Sequence, residues 1–328
     1  MHQTVNITLE EVSNIITNEL DCFEKEYLGQ FQTDNTFLQP LLNHIGQLRG
    51  KRLRPILFFL SQGLFDQPNL KSTQIAVLLE LLHTASLVHD DVVDGSSIRR
   101  GRRTLNAIWG DRVSVLVGDY LLAKVLSLGV EVSWKGVLDT ISRVVLDMGQ
   151  GEIQQIMGGR VEGMTVEEYF RVVKQKTAGL IAAACELGGR VMDAPSSERR
   201  QLSRFGEYFG TAFQIRDDIL DLSGVVYLMG KPVGQDFSNG RVTLPILLAL
   251  DGSSDEEKER VFKKLENSTE SDGKWIREFV EKRGGILRAQ ERAAFFSKKA
   301  VDVLELFKPS IYREGLERLV MYDLKRVG

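Results

Sequence analysis

The chain has 328 residues, a formal net charge of −3 and two cysteines. That balance leaves no basic footprint for nucleic acid, and Cys22 and Cys185 stand in neither a C-x-x-C nor a zinc spacing, so a reduced, cytoplasmic protein is expected. The first residues lack the basic and apolar regions of a signal peptide, and no uninterrupted apolar run reaches the ~20 residues of a membrane span, so no transmembrane segment is expected.

Along the chain, Thr8-Leu9-Glu10-Glu11 has the spacing of a capping box. Apolar residues at Val12, Ile15, Ile16, Leu20, Phe23 and Tyr27 then recur at helical intervals. A short helix is predicted from Leu41 to Ile45. Gly50 to Arg54 is a basic turn, and Pro55 suits the first turn of a helix through Leu64. The run from Ile75 to Val93 is apolar nearly all round and predicts a central buried helix. Gly95 to Arg103 is a loop carrying four arginines. Further helices are predicted from Val113 to Leu128, Val137 to Met157, Glu167 to Lys176 and Glu198 to Leu222. Ala178 to Leu187 is small and apolar, suited to close packing. After a loop at 230–236, Leu244 to Leu250 returns to helix and 251–259 reads as polar and exposed. The stretch 261–327 keeps helical periods, broken at Gly273 and at Gly284-Gly285. No sustained strand alternation appears between turn signals. The expected fold is all-α: one domain over 1–328, built of many antiparallel helices.

Only one short pattern recurs, Asp-Asp-x-x-Asp, as Asp90-Asp91-Val92-Val93-Asp94 and as Asp217-Asp218-Ile219-Leu220-Asp221. Each ends an apolar helical stretch. Residues four apart share a helix face, so Asp90 points with Asp94 and Asp217 with Asp221. Two carboxylates so placed repel unless a cation lies between them, and hard oxygen donors completed by water and phosphate suit Mg²⁺. The blander reading is a pair of solvated acidic helix ends; the recurrence favours two acid clusters facing each other across a cavity, holding magnesium on a diphosphate. Lys51, Arg54, Arg99, Arg100, Lys176 and Lys231 supply the positive charge such a site needs, Arg as a bidentate fork and Lys as a point charge.

These segments resemble the trans-isoprenyl diphosphate synthases, or polyprenyl synthetases. The matches are GKRLRP at 50–55, LLHTASLVHDDVVD at 81–94, RRG at 99–101, GDYLLA at 118–123, GEIQQ at 151–155, KTAGL at 176–180, FQIRDDILD at 213–221 and GKPVGQDFSNGRVTLP at 230–245. The resemblance implies an antiparallel helical bundle of the isoprenoid synthase type around a deep central cavity, usually a homodimer. It implies a Mg²⁺-dependent head-to-tail condensation of an allylic diphosphate with isopentenyl diphosphate, with three metal ions when substrate is bound. Carried over by motif, Asp90, Asp94, Asp217 and Asp221 hold metal, with Asp91 and Asp218 in support. Arg99, Lys176 and Lys231 contact the allylic diphosphate, while Lys51, Arg54, His83 and Arg100 hold isopentenyl diphosphate. Thr177 and Gln214 place oxygens near the developing cation. His89, Gln150 and Gln155 are supporting polar groups. Arg241 stands where many relatives carry lysine, and the loop at 224–227 is more apolar than the family pattern.

Ala85 and Ser86, about one turn before Asp90, are small where short-chain relatives place bulky aromatics. A wall open there, continuing past Leu82, Leu81 and Leu78, predicts a long product, heptaprenyl to nonaprenyl, as on a respiratory quinone, handed on to a membrane enzyme. The other readings are closure of the tunnel by Leu121, Leu122, Val125 or Leu128 with a farnesyl or geranylgeranyl product, a class I terpene cyclase, a partner-dependent subunit, and a phosphate-ligand binder without turnover.

Overall fold

The computed structural model describes residues 7–48, 50–132, 134–158, 164–223, 240–267 and 269–325. The chain begins with α1 (Leu9–Ser13), whose capping box closes Thr8 onto Glu11 as expected, then α2 (Thr17–Gly29), α3 (Gln39–Gly46) and α4 (Leu53–Gly63). The predicted central helix is α5 (Thr73–Val93), buried on almost every side and packed against α2, α4 and α7 (Asp111–Glu131). The short α6 (Leu105–Trp109) precedes α7, the two separated at Gly110 with φ of 84°. Next come α8 (Val137–Gly158), α9 (Val166–Val173), α10 (Gly179–Val191) and α11 (Ser196–Ser223). The C-terminal part adds α12 (Leu244–Leu250), α13 (Asp255–Asn267), α14 (Glu270–Lys282), α15 (Gly285–Leu304) and α16 (Ile311–Leu324).

The all-α expectation holds, with one small addition. The arginine loop folds as a two-stranded hairpin, Ile98–Arg99 against Arg102–Arg103, in register Ile98 with Arg103. Two boundaries differ from the expected ones. Gly273 lies inside α14, because the helix starts earlier at Thr269, whose hydroxyl accepts from the Asp272 amide; one glycine costs about 1 kcal/mol in a helix and does not break it. The polar stretch after Asp251 becomes helix at Asp255, with acidic residues in its first turn where the helix dipole favours them.

Ala178 to Leu187 packs as closely as its composition suggests. A Cβ on Gly206 of α11 would sit 2.6 Å from the Ala182 Cα of α10, and one on Gly210 would sit 2.7 Å from the Ala178 Cα. No side chain fits there, so the two helices meet backbone to backbone. The apolar core forms two clusters, one around α4, α5, α7 and α10 and one around α12 to α15. Helix α11 contributes to both: Leu202, Phe205 and Phe209 to the first, Ile215, Ile219 and Leu222 to the second.

Arg216 lies within the FQIRDDILD segment but turns away from the acids. Its Nε is 3.0 Å from the Asp323 carboxylate, both side chains almost wholly buried, and its other nitrogens donate to Leu324 O at 3.2 Å and to Ser297 Oγ at 3.4 Å. The contact ties α11 to α15 and α16. Asp323→Ala leaves a buried guanidinium uncompensated, so urea unfolding should show a loss of about 3–5 kcal/mol.

Helix α7 is the one described helix long and apolar enough to cross a bilayer, by length and composition. Only 39% of its apolar window is buried, so it is not an enclosed core helix. Leu116, Leu126 and Val130 lie exposed along it, and Leu146, Ile153 and Met157 along α8.

Candidate active site

One cavity of about 910 Å³ receives side chains from α4, α5, α8, α10 and α11, at the upper end of the roughly 300–1,000 Å³ typical of small-molecule sites. Helix α5 supplies one wall. Leu82, Ser86 and Asp90 follow at intervals of four, one stripe of the helix, with His83, Leu87, His89 and Asp94 beside them. Helix α11 supplies the other with Phe213, Gln214, Asp217, Asp218 and Asp221. The two acidic patterns therefore line one space from separate helices.

Between α9 and α10 the chain passes through a single π-turn, Lys174–Ala178. A π-turn inserts an extra residue into the helical repeat, a distortion frequent at functional sites. Lys176 and Thr177 both line the cavity. Lys176 pairs with Glu152 of α8 and donates to Gln155 Oε1 at 3.0 Å. Thr177 donates to Gln214 Oε1 at 2.7 Å; Gln214 donates in turn to Asp218 Oδ1 at 2.9 Å, and Tyr169 donates to Asp218 Oδ2 at 2.6 Å. That chain fixes the Gln214 amide with its oxygen toward Thr177.

The acids are partly answered by cations. Arg241 pairs with Asp94 and lies 3.9 Å from Glu152, so Asp94, Arg241, Glu152 and Lys176 form a line of alternating charge across the cavity. Burial holds the Asp90 carboxyl above the usual aspartate range; Lys176 and Arg99 oppose that shift, while Glu152 and Asp94 add to it. Additional positive charge beside Asp90 would favour its unprotonated form. Among the described residues no three carboxylate, imidazole or thiolate groups converge on one point. A divalent cation held by one or two carboxylates and completed by substrate oxygens fits such walls, and the all-oxygen donor set suits a hard ion.

At one side of the cavity lies a basic pocket of Lys51, Arg52, Arg54, His83 and Arg100. Burial lowers the Arg54 guanidinium to about 10, with Arg100 adding to the fall, and it stays charged at neutral pH. Burial first, then Arg54, Arg100, Arg99 and Arg52, keeps His83 well below its ordinary value, so its imidazole is neutral. His83 is thus a hydrogen-bonding group in this pocket. The lining also has an apolar part, with Leu82, Leu122, Val145, Met148, Ile181 and Phe213.

The cavity gathers Lys51, Arg54, His83, Ser86, Asp90, Asp94, Arg99, Arg100, Lys176, Thr177, Gln214, Asp217, Asp218, Asp221 and Arg241 from the sequence-predicted set. Two members stand elsewhere. Asp91 is not in the lining; it lies about 100° further round α5 than Asp90 and is buried, where Arg99 Nε donates to it at 2.6 Å. It positions Arg99 rather than facing the cavity. Ala85 is fully buried behind the wall, about 140° round the helix from Asp90, and Ser86 alone of the pair lines the cavity. Leu78 and Leu81 are likewise buried outside it, and of the residues considered for closure Leu122 lines it while Leu121, Val125 and Leu128 do not. Gln155 lines it and Gln150 does not. His89 lines it with its ring against Val115 O at 3.2 Å and Asp119 at 3.3 Å, in a space that Gly118 leaves open. Lys231 and the apolar loop at 224–227 lie outside the described residues. Glu80, Glu152 and Tyr169 are the functional neighbours that the motifs alone did not single out.

The sequence profile of the polyprenyl synthetase family matches residues 35–282. The chain is 34% identical over 285 residues to the all-trans-nonaprenyl-diphosphate synthase (geranyl-diphosphate specific) of Rhodobacter capsulatus, covering 87% of each protein. It is 38% identical over 244 residues to heptaprenyl diphosphate synthase component 2 of Geobacillus stearothermophilus, covering 74% of this chain and 76% of that one. Its fold matches the crystal structure of a Caulobacter crescentus polyprenyl synthase, complexed with calcium and isoprenyl diphosphate, at a TM-score of 0.93 and 31% identity, over 99% of this chain and all of that one. Enzymes of this kind use divalent metal ions. With the acids, cations and apolar lining gathered in one cavity, the chain belongs to the polyprenyl synthetase family and is a prenyltransferase.

Proposed function

We propose that the protein elongates an allylic diphosphate with isopentenyl diphosphate to an all-trans long-chain polyprenyl diphosphate, heptaprenyl to nonaprenyl, for a quinone side chain. The observation that carries this reading is a single cavity lined by acids from two helices, by the cations Lys51, Arg54 and Arg100, and by apolar side chains. In each round the allylic C1–O bond breaks, a bond forms between C1 and C4 of isopentenyl diphosphate, and a proton leaves C2. Asp90, Asp94, Asp217 and Asp221 would hold Mg²⁺, three ions with substrate bound, and Mg²⁺ there supplies Lewis-acid stabilisation of the departing diphosphate. Lys176 and Arg99, with Lys231, neutralise the same group. Gln214 Oε1 and Thr177 present oxygen near the allylic cation. Lys51, Arg54, Arg100 and the neutral His83 hold isopentenyl diphosphate, and the released diphosphate is the base. The chain works as one domain, since α11 joins both apolar clusters.

Incubation with isopentenyl diphosphate, farnesyl diphosphate and Mg²⁺, followed by chromatography, should yield diphosphates longer than geranylgeranyl. Cyclic hydrocarbon would instead mean a cyclase, and turnover only with a second protein would mean a component-2-type subunit. The exposed apolar stripes of α7 and α8 fit the seam of a homodimer in the cytoplasm rather than a membrane span. Leu146→Glu should shift sedimentation from dimer to monomer.

Asp90 also sets the acid side of the pH profile. Its raised pKa means that protons displace metal at a higher pH than at an ordinary aspartate. kcat/KM should fall as pH drops through that raised value, and more Mg²⁺ should move the limb to lower pH. A limb that ignores Mg²⁺ would rule Asp90 out as its origin.

A further inference from the structure

Glu80 is a buried carboxylate that the mechanism above does not use. It stands alone among leucines in Leu78-Leu79-Glu80-Leu81-Leu82, is 2% exposed, and lines the cavity beneath the basic pocket with Arg52, Arg54, His83 and Arg100. Its Oε1 accepts from Arg52 at 3.1 Å. Arg52 is held from its other side by Glu24 at 2.6 Å and lies over the Tyr27 ring, 4.4 Å from its centroid. Arg52 has a left-handed backbone, φ 53°, at the turn that launches α4 and presents Lys51 and Arg54. The second Glu80 oxygen is buried with no hydrogen-bond partner, and so is Arg54 Nε. Among the described residues Glu80's direct ion pair is with Arg52.

The charges near Glu80 do not balance by pairs. Arg52 is shared between Glu24 and Glu80, and the second Glu80 oxygen, unpaired, lines the same cavity as Arg54 and Arg100. Glu80 is the group that most raises both guanidiniums against the effect of their burial. Cations gathered in one pocket repel one another, so a negative group near them is favourable when no substrate is present.

The proposed reaction places a further demand on this pocket. The bond that breaks is the allylic C1–O bond, so each product keeps the diphosphate that entered on isopentenyl diphosphate. To react again as the allylic partner, that diphosphate must leave the basic pocket for the acidic walls. We propose that Glu80 is the internal counter-anion of the isopentenyl diphosphate pocket, a positioning residue whose carboxylate faces Arg54 and Arg100 as diphosphate departs and so makes transfer between rounds possible. This rests on the assignment of the pocket to isopentenyl diphosphate. Glu80 touches no reacting atom; it acts through the arginines.

The test compares Glu80→Gln with the unmodified enzyme in the full chain with Mg²⁺. Glutamine keeps an acceptor for Arg52 and removes the charge. KM for isopentenyl diphosphate should fall on the order of tenfold, since one opposing charge has gone from a low-dielectric pocket. The rate of the first condensation, from farnesyl to geranylgeranyl diphosphate in a single turnover, should stay within about threefold. The multi-round product should shift to shorter chains, because diphosphate leaves too slowly. Glu80→Asp, which keeps the charge but withdraws it by one methylene, should fall between the two; if Glu80→Gln does not fold, this variant carries the test, with a smaller change in the same directions. Unchanged KM and unchanged product length would overturn the proposal, as would equal slowing of the first and later rounds, the mark of a merely structural role. Lys51→Ala and Arg54→Ala separate the two layers. If neither raises KM for isopentenyl diphosphate, the pocket assignment falls; if both do and Glu80→Gln changes nothing, only the role of Glu80 falls.

Discussion

Asp90→Asn should lower kcat/KM for the allylic substrate by roughly 10³-fold or more while changing KM for isopentenyl diphosphate by no more than a few-fold. The magnitude follows from where charge develops. Breaking the C1–O bond places negative charge on diphosphate, and removing one preorganised electrostatic contact at such a point typically costs about 10²–10³. Asp90 is also an acid whose charged form is disfavoured by desolvation, only partly offset by Lys176 and Arg99, so a bound cation would favour its charged form. The effect on isopentenyl diphosphate should be small because the basic pocket, with Lys51, Arg54 and Arg100, is a different part of the lining. Asp217→Asn should act similarly from the opposite wall. The double variant should fall well short of the product of the two singles, because groups that serve one charge act as a unit. Asp91→Asn is the informative contrast. That residue lies behind the wall and holds Arg99, so it should cost about tenfold, through the position of a cation. Steady-state kinetics with each substrate varied in turn check all four variants. An Asp90→Asn enzyme with more than a tenth of native kcat/KM would remove the acidic walls from the mechanism.

The contrast between Asp90 and Asp91 also marks what can be read from the chain. Helical period alone aligns Asp90 with Asp94 and with Ser86, because spacings of four hold whatever the helix packs against. It does not say which stripe faces the cavity, and Ala85 and Asp91 fall on other sides of α5. The cap at Thr8 and the close packing of the small residues at 178–187 are written locally in side-chain chemistry and size. The π-turn at Lys174–Ala178 is not, since no local residue pattern announces an extra residue in a helix. Yet it is what brings Lys176 and Thr177 to the cavity together. Arg216 shows the same limit from the other direction: it sits in an acidic motif and serves packing, because its partner, Asp323, is remote in sequence. Glu80 could have been noticed, as a lone charge in an apolar run is costly unless paired. Its partner Arg52 sits in the turn before α4, and Arg52's second partner, Glu24, on α2; no spacing names either.

With dimethylallyl diphosphate as the primer, Ser86→Phe should shorten the product from heptaprenyl–nonaprenyl to farnesyl or geranylgeranyl length without slowing the first condensation. Ser86 lines the cavity one turn below Asp90, and one turn is ~5.4 Å, roughly the reach of one isoprene unit. A phenyl ring there projects into the lumen between the charged end and the apolar lining of Leu82, Leu122, Met148 and Phe213. The growing chain meets it after one or two units, while the acids and the basic pocket above it are untouched. Among the described residues the serine hydroxyl donates to the His83 carbonyl of its own helix, at 2.8 Å, so its loss disturbs little else there. Ala85→Phe separates a wall effect from general damage. Ala85 is fully buried, and a ring at that position must displace core neighbours, at a cost of about 1–3 kcal/mol that thermal melting will show. If Ser86→Phe leaves the product at native length while it melts normally and turns over, the growing chain does not run along α5. The apolar lining on α7, α8 and α10 would then be the path, and the residue that sets length would lie among Leu122, Met148 and Ile181.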